Sequence, residues 1–266
     1  MKIKKMDFKL KRILEAKNVL KETLKGSYFE GFTKQLYTLL NKNKKEKYII
    51  NAEDNHLTVK ILHRILTEKS NCIDIGCNTG EFLASILELS PSGSHYAFEP
   101  IPRLADRLRK RFPKTNVIEA ALSDSEGEAT FWYVVNSPAL SSLKKGVWSH
   151  HIPNALTESI LVKVHKLDNV LPADLKIDFI KIDVEGVEYS VLKGGREIIK
   201  NHRPYIIFEH GKDDNGVRHD SKIYDFLVDD CCLKIYELKS WVEGFPPLTK
   251  DEFVSSPFWN FLAVPE

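Results

Sequence analysis

The chain has 266 residues, 42% of them apolar and 10% aromatic, enough for one α/β domain with an appendage but short for two full domains. Its net charge of +2 gives no whole-protein case for nucleic acid binding, and no apolar run approaches the roughly 20 residues of a membrane span. Cys72, Cys77, Cys231 and Cys232 form no C-x-x-C pair, which suits neither a zinc site nor a disulfide framework. With no apolar h-region behind the basic N-terminus, a cytoplasmic protein is expected.

Residues 1–25 carry nine Lys and Arg against three acids, +6, which leaves the rest of the chain at −4. Their apolar positions fall near helical spacing and predict an amphipathic helix, docked on its own domain, on a second copy or on a membrane surface. The run Lys42–Lys47 marks a boundary, so residues 1–50 are expected as a basic helical arm and residues 51–266 as the main domain. Leu57–Leu66 continues helically into that domain.

From residue 71 short apolar strands alternate with helices. Strands are expected at Cys72–Ile75, His95–Phe98, Asn116–Ala121, Ala129–Val135, Leu161–His165, Phe179–Ile182, Tyr205–Phe208, Leu233–Glu237 and Phe261–Val264. Helices are expected at Glu81–Leu89, Arg103–Arg111, Val187–Lys200 and Ile223–Asp229. The alternation predicts a doubly wound, mostly parallel sheet covered on both faces. Asn136–Ser159, with Ser141-Ser142 and His150-His151, fits neither period and reads as a lid or binding loop.

The first strand ends in Asp74 and runs into Gly76, Asn78 and Gly80 before a helix. This G-x-N-x-G spacing differs from the G-x-G-x-x-G loop that cradles a pyrophosphate, and suits a ligand without phosphate, such as S-adenosylmethionine. It argues against a nicotinamide dehydrogenase. Glu99, at the end of the second strand, could accept hydrogen bonds from both ribose hydroxyls. Ser123 and Asp124, after the third strand, would lie at the adenine edge, with Asp124 accepting from its amino group.

Phe179–Ile182 ends in Asp183, with Glu185 and Glu188 following. The end of this fourth strand would border a reacting methyl, and Glu209-His210 ends the neighbouring strand, so Asp183, Glu209 and His210 are expected to converge on the acceptor. They could act as a base with orienting partners, or hold a divalent cation, Mg²⁺ by the chemistry of the donors. Metal-free catalysis is the preferred expectation, because two carboxylates and a His at strand ends are common without metal. Glu188 is explained by the helix dipole, Glu185 lies between cap and ligand contact, and Gly194-Gly195 reads as a helix-end turn.

In this order, IDIGCNTGEF (Ile73–Phe82), AFEP (Ala97–Pro100), AALSDSEGEATF (Ala120–Phe131), SSL (Ser141–Leu143), VHKLDNVL (Val164–Leu171) and FIKIDVEGVEYSVLKGG (Phe179–Gly195) resemble the FkbM family of S-adenosylmethionine-dependent methyltransferases. The resemblance covers roughly residues 70–210, with Cys77 where a smaller residue is usual. It implies a seven-stranded Rossmann-like sheet of class I architecture and O-methylation of a sugar, polyketide or related metabolite. Asp183 is not followed by the Pro-Pro-aromatic sequence expected for amine acceptors, which also favours oxygen. An RNA methyltransferase guided by the basic arm, or a cofactor-binding scaffold without catalysis, are the alternatives. The arm lacks the interleaved aromatics that stack bases, and its helices could join two copies of the chain.

Overall fold

A computed structural model of the chain describes residues 45–146, 154–211 and 221–266. The predicted helix of residues 1–25 and the pair His150-His151 lie outside the described residues. Contacts along the chain group residues 1–61 into one unit and residues 62–266 into a second. The helix α1 (Lys45–Ile65) runs through the expected boundary at residue 50. Among the described residues no helix is long and apolar enough to cross a membrane.

The unit of residues 62–266 is built on a seven-stranded sheet. Its strands are β1 (Cys72–Ile75), β2 (His95–Phe98), β3 (Asn116–Ile118), β7 (Phe179–Ile182), β8 (Tyr205–Glu209), β9 (Leu233–Glu237) and β10 (Asn260–Pro265), in the order β3-β2-β1-β7-β8-β10-β9. All neighbours run parallel except β10, which is antiparallel to both β8 and β9. This is the expected doubly wound α/β arrangement, with the order reversing beside β1. The central strands are short and apolar because both faces are covered: Ile73, Ile75, Ile180, Ile182, Ile206 and Phe208 are all buried in one core cluster.

Helices α2 (Glu81–Leu89) and α3 (Pro102–Arg111) follow β1 and β2. Pro102 opens α3 at its first turn, where its fixed φ is no hindrance, and Leu104, Ala105 and Leu108 bury one face. Beyond β7 come α4 (Glu188–Gly194) and α5 (Arg196–His202), then α6 (Lys222–Tyr224), α7 (Leu238–Glu243) and α8 (Lys250–Ser255).

Three expectations are corrected. Asn116–Ala121 is not one strand: after β3 the chain leaves the main sheet, and β4 (Ala121–Leu122) joins a second, three-stranded sheet. There β5 (Gly127–Val134) and β6 (Thr157–His165) form the antiparallel pair, packed through Phe131, Val162 and Val164 on Ile101 and Leu104. Val187–Lys200 is not one helix, because α4 ends at Gly194 and α5 restarts after Gly195. Ile223–Asp229 is a single turn, α6, that widens into π geometry over Asp225–Asp230.

Candidate active site

The turn after β1 is held by its neighbour strand. Gly76 and Cys77 both donate main-chain N–H groups to the Phe98 carbonyl, at 3.1 and 3.2 Å. Gly76, Asn78 and Gly80 all have positive φ, at 78°, 48° and 79°, conformations that Gly and Asn tolerate. Glu99 lies beneath this turn, only 3% exposed. Its carboxylate accepts from the Asn78 N–H at 2.8 Å and the Ile101 N–H at 2.9 Å. Burial pushes the Glu99 carboxyl up to about 7, against the pull of those two N–H groups.

Gly76, Asn78 and Glu99 line a cleft of about 510 Å³, open solvent at its mouth included. Its apolar wall includes Ile101, Leu122, Phe131 and Leu143, and Asp183 and Glu185 stand at another edge. Among the described residues the lining carries three carboxylates and no Lys, Arg or His. Such a wall suits a cationic ligand with an apolar body and would repel a pyrophosphate, so the donor set fits S-adenosylmethionine, whose sulfonium and amino groups are positive.

The other residues expected at the cofactor lie outside this lining. Gly80 opens α2 and packs on Phe112 and Leu108. Asp74 is fully buried, with Lys181 Nζ 3.5 Å from its Oδ1. Ser123 donates its N–H to the His165 carbonyl, and Asp124 is held by Lys193 Nζ at 2.7 Å. Their segment reaches the cleft through Ala120, Ala121 and Leu122 instead. Gly194 is more than a helix end: a Cβ there would come within 2.0 Å of the Ser123 carbonyl oxygen, so the absent side chain lets α4 seat against this segment.

The acidic corner is a tied loop. Glu185 and Gly186 have φ of 56° and 94°, the first uncommon for a residue with a side chain. Ser142, fully buried, donates its hydroxyl to the Glu185 carbonyl at 2.8 Å. Glu188 reaches back to accept from the Gly186 N–H at 2.9 Å and the Val184 N–H at 3.4 Å. Buried among these groups, its carboxyl is pushed up to about 7. Glu188 therefore staples the corner from below, a role beyond the helix-dipole explanation.

Asp183, Glu185 and Glu209 each bring one carboxylate oxygen within 4.8 Å of the others. His210 is not part of this cluster. Successive residues at a strand end point to opposite faces, so Glu209 turns to Asp183 while the His210 ring stacks on buried Phe253, centroids 5.6 Å apart and 5° from parallel. Glu185 takes the place expected for His210.

Lys181, the single charged residue inside β7, brings its Nζ 3.2 Å from Asp183 Oδ2. Enclosure by protein pushes the Asp183 carboxyl up, but the Lys181 cation and hydrogen bonds with Glu209 and Lys181 bring it below its ordinary value. Burial drives Glu209 the other way, well above the usual range, helped by the charges of Asp183, Glu185 and Glu188. The pair therefore shares one proton, held on Glu209, with Asp183 the anion. Asp183 opens on the cleft with 41% of its side chain exposed. Lys181, Ser142 and Glu188 thus complete a site for which the sequence pointed to Asp183 and Glu209 and left Glu185 between cap and ligand contact. A lysine inside the buried run FIKI was the available signal for the first of them.

Residues 74–233 match the family model of the methyltransferase FkbM domain. The chain is 31% identical over 149 residues to the 2-O-methyltransferase NoeI of Sinorhizobium fredii (strain NBRC 101917 / NGR234); the match covers 49% of this chain and 59% of that protein. It is similar to the crystal structure of methyltransferase FkbM from Methylobacillus flagellatus KT, at a TM-score of 0.47 and 17% identity, over 75% of this chain and 44% of that one. Similarity to an rRNA methylase from Streptococcus thermophilus has a TM-score of 0.42 at 13% identity, over 79% and 96% of the two chains. The chain thus spans less than two thirds of the length of NoeI and of the FkbM structure.

Proposed function

The chain belongs to the FkbM family of S-adenosylmethionine-dependent methyltransferases, and from that premise we propose that it methylates a hydroxyl group of a carbohydrate or related metabolite. The observation that carries this reading is the Asp183 carboxylate, exposed on the same cleft as Glu99 and Gly76, 3.2 Å from the Lys181 ammonium and clustered with Glu209. An alcohol is a poor nucleophile until its proton is taken as the new bond forms, and a carboxylate poised at the cleft edge does that. NoeI is a 2-O-methyltransferase, which supports an oxygen acceptor.

When bound, S-adenosylmethionine supplies an electrophilic methyl on a sulfonium. Gly76 and Asn78 would support it along the turn, Glu99 would accept from its ribose hydroxyls, and Ile101, Leu122 and Phe131 would form the apolar wall for its ring. Asp183 receives the acceptor's proton. Glu209 keeps the second carboxyl of the pair neutral, so Asp183 and Glu209 do not face each other as two anions. Glu185, held in place by Ser142, is positioned to accept from a neighbouring hydroxyl of the acceptor.

The carboxylates of Asp183, Glu185 and Glu209 have the hard-oxygen chemistry of a Mg²⁺ site. Their charge is already balanced in part by Lys181 and by the shared proton, so the reading stays metal-free. The test is methyl transfer to a panel of monosaccharides and their methyl glycosides, read as S-adenosylhomocysteine formed, with and without chelator. Asp183→Asn should lower turnover at least about a hundredfold, the usual scale of general-base loss, while S-adenosylhomocysteine still binds. Undiminished turnover in that variant removes Asp183 from the chemistry. Turnover lost to chelator and restored by Mg²⁺ replaces the base reading with a metal one.

A further inference from the structure

Lys181 lies where a parallel sheet offers no solvent. It is paired in register with Asp74 on the adjacent strand β1, and only 15% of its side chain is exposed. Its Nζ lies 3.5 Å from Asp74 Oδ1, 3.2 Å from Asp183 Oδ2 and 5.5 Å from the centre of the Phe82 ring. One ammonium thus joins the strand that carries the cofactor turn to the strand end that carries the base. A buried cation is retained at such a place only when fully paired, and a pair broken by removing one member leaves an uncompensated charge.

We propose that Lys181 is a positioning residue for methyl transfer, bridging Asp74 and Asp183 so that the Asp183 carboxylate is fixed at the cleft edge in its anionic form. The proposal rests on the reading of Asp183 as the base. The charged groups facing Asp183 come from every element around it: Lys181 on β7, Asp74 on β1, Glu209 on β8, Glu185 at the corner and Glu188 in α4. Lys181 is the single cation among these five. Burial opposes an anion at Asp183; the Lys181 charge is the largest pull toward it, and the hydrogen bond with Glu209 adds to that pull, so the lysine does most to decide which carboxyl holds the proton. An opposite charge at this range lowers an aspartate by about one to three units. Removing it should therefore return the proton to Asp183.

Three full-length variants test this: Lys181→Met, Lys181→Arg, and Lys181→Met combined with Asp74→Asn, which also deletes the second carboxylate left buried if Met alone does not fold. Side-chain carboxyl carbons of Asp and Glu, labelled with ¹³C and assigned through Asp183→Asn, are titrated by NMR. In Lys181→Met, or in the double variant, the Asp183 signal should titrate about one unit or more above wild type, and Lys181→Arg should lie close to wild type. The acid limb of the methyl-transfer pH profile should move upward by the same amount, with kcat reduced on that limb and KM for S-adenosylmethionine changed little. A folded Lys181→Met or double variant whose Asp183 signal titrates as in wild type overturns the proposal. If Asp183→Asn is inactive while the pH profiles of wild type and Lys181→Met coincide, the lysine has no positioning role and the base assignment stands. If Asp183→Asn turns over normally, the base reading fails on its own, whatever the titration shows.

Discussion

The main-chain oxygen of Asp183 lies against Cα of Gly76, so closely that a Cβ on Gly76 would come within 1.9 Å of it. The Asp183 N–H is also donated to the Ile75 carbonyl at 3.1 Å. The proposed base and the proposed cofactor turn are thus one backbone unit, and neither can shift by an ångström without the other. For an in-line transfer this matters, because rate depends steeply on the distance and alignment of the two reacting centres.

Gly76→Ala should therefore damage both halves of the site. The left-handed φ of 78° alone disfavours a side chain, and the Cβ adds a clash with backbone that cannot swing away. A loss of about 2 kcal/mol or more is expected, lowering the melting temperature by roughly 4 °C or more. S-adenosylhomocysteine binding, followed by calorimetry, should fall below detection. A variant that melts and binds as wild type does would mean that the turn is not part of the cofactor site.

Glu99 gives a prediction with a pH signature. Its carboxyl, pushed up to about 7, accepts two N–H groups in the structure and can accept ribose hydroxyls best when ionised. Cofactor affinity should weaken as pH falls below about 7. Glu99→Gln removes that dependence, and because its amide nitrogen must face one of the two N–H donors, affinity at neutral pH should drop about tenfold to a hundredfold. Parallel affinity-against-pH curves for the two proteins would show that Glu99 does not contact the ligand.

The frame of the fold was legible because β1, β2, β7 and β8 are four- or five-residue, mostly apolar runs with a carboxylate near their C-terminal end: Asp74 one residue before the end of β1, Glu209 as the last residue of β8, and Glu99 and Asp183 just past β2 and β7. A strand buried on both faces needs such a run, and a carboxylate beside it marks the rim. What could not be read is what depends on pairing across the chain. Ala121 looks like the tail of a third strand until β6 claims it together with Leu122. Gly194 looks like a helix end until the Ser123 carbonyl oxygen is found beside it. His210 was placed with Glu209 because the two are neighbours in sequence, yet the alternation of side chains at a strand end sends them to opposite faces. Lys181 was passed over because its two carboxylate partners lie on different strands.

Ser142 tests whether the corner needs its tether. Its hydroxyl donates to the Glu185 carbonyl and accepts from the Lys144 N–H at 3.0 Å, in a fully buried position. Ser142→Ala should cost about 1–3 kcal/mol of stability and free Glu185 to leave its left-handed conformation. Methyl transfer should slow about tenfold, the rate equivalent of one hydrogen bond, with S-adenosylhomocysteine affinity within about threefold of wild type, a change below 1 kcal/mol. An equal loss of affinity and rate would mean that the tether serves the cofactor side, not the acceptor side.

Glu188 separates the stapling role from the charge. Its carboxyl stands at about 7 in the folded chain, against an ordinary 4.5. Below 4.5 the folded and unfolded forms both hold the proton, so no cost arises. Between 4.5 and 7 the unfolded chain loses the proton and the folded one keeps it, so stability from this group falls as pH rises and levels off above 7. Glu188→Gln keeps an oxygen that accepts from Gly186 and Val184 but carries no charge to bury. Urea midpoints of the variant should therefore depend less on pH through that window, and above it the variant should be at least as stable as wild type. Glu188→Ala, which removes the acceptor, should be less stable than both at every pH. If Gln and wild type instead track each other across the window, Glu188 is ionised in the folded chain and the corner is held by a charged staple.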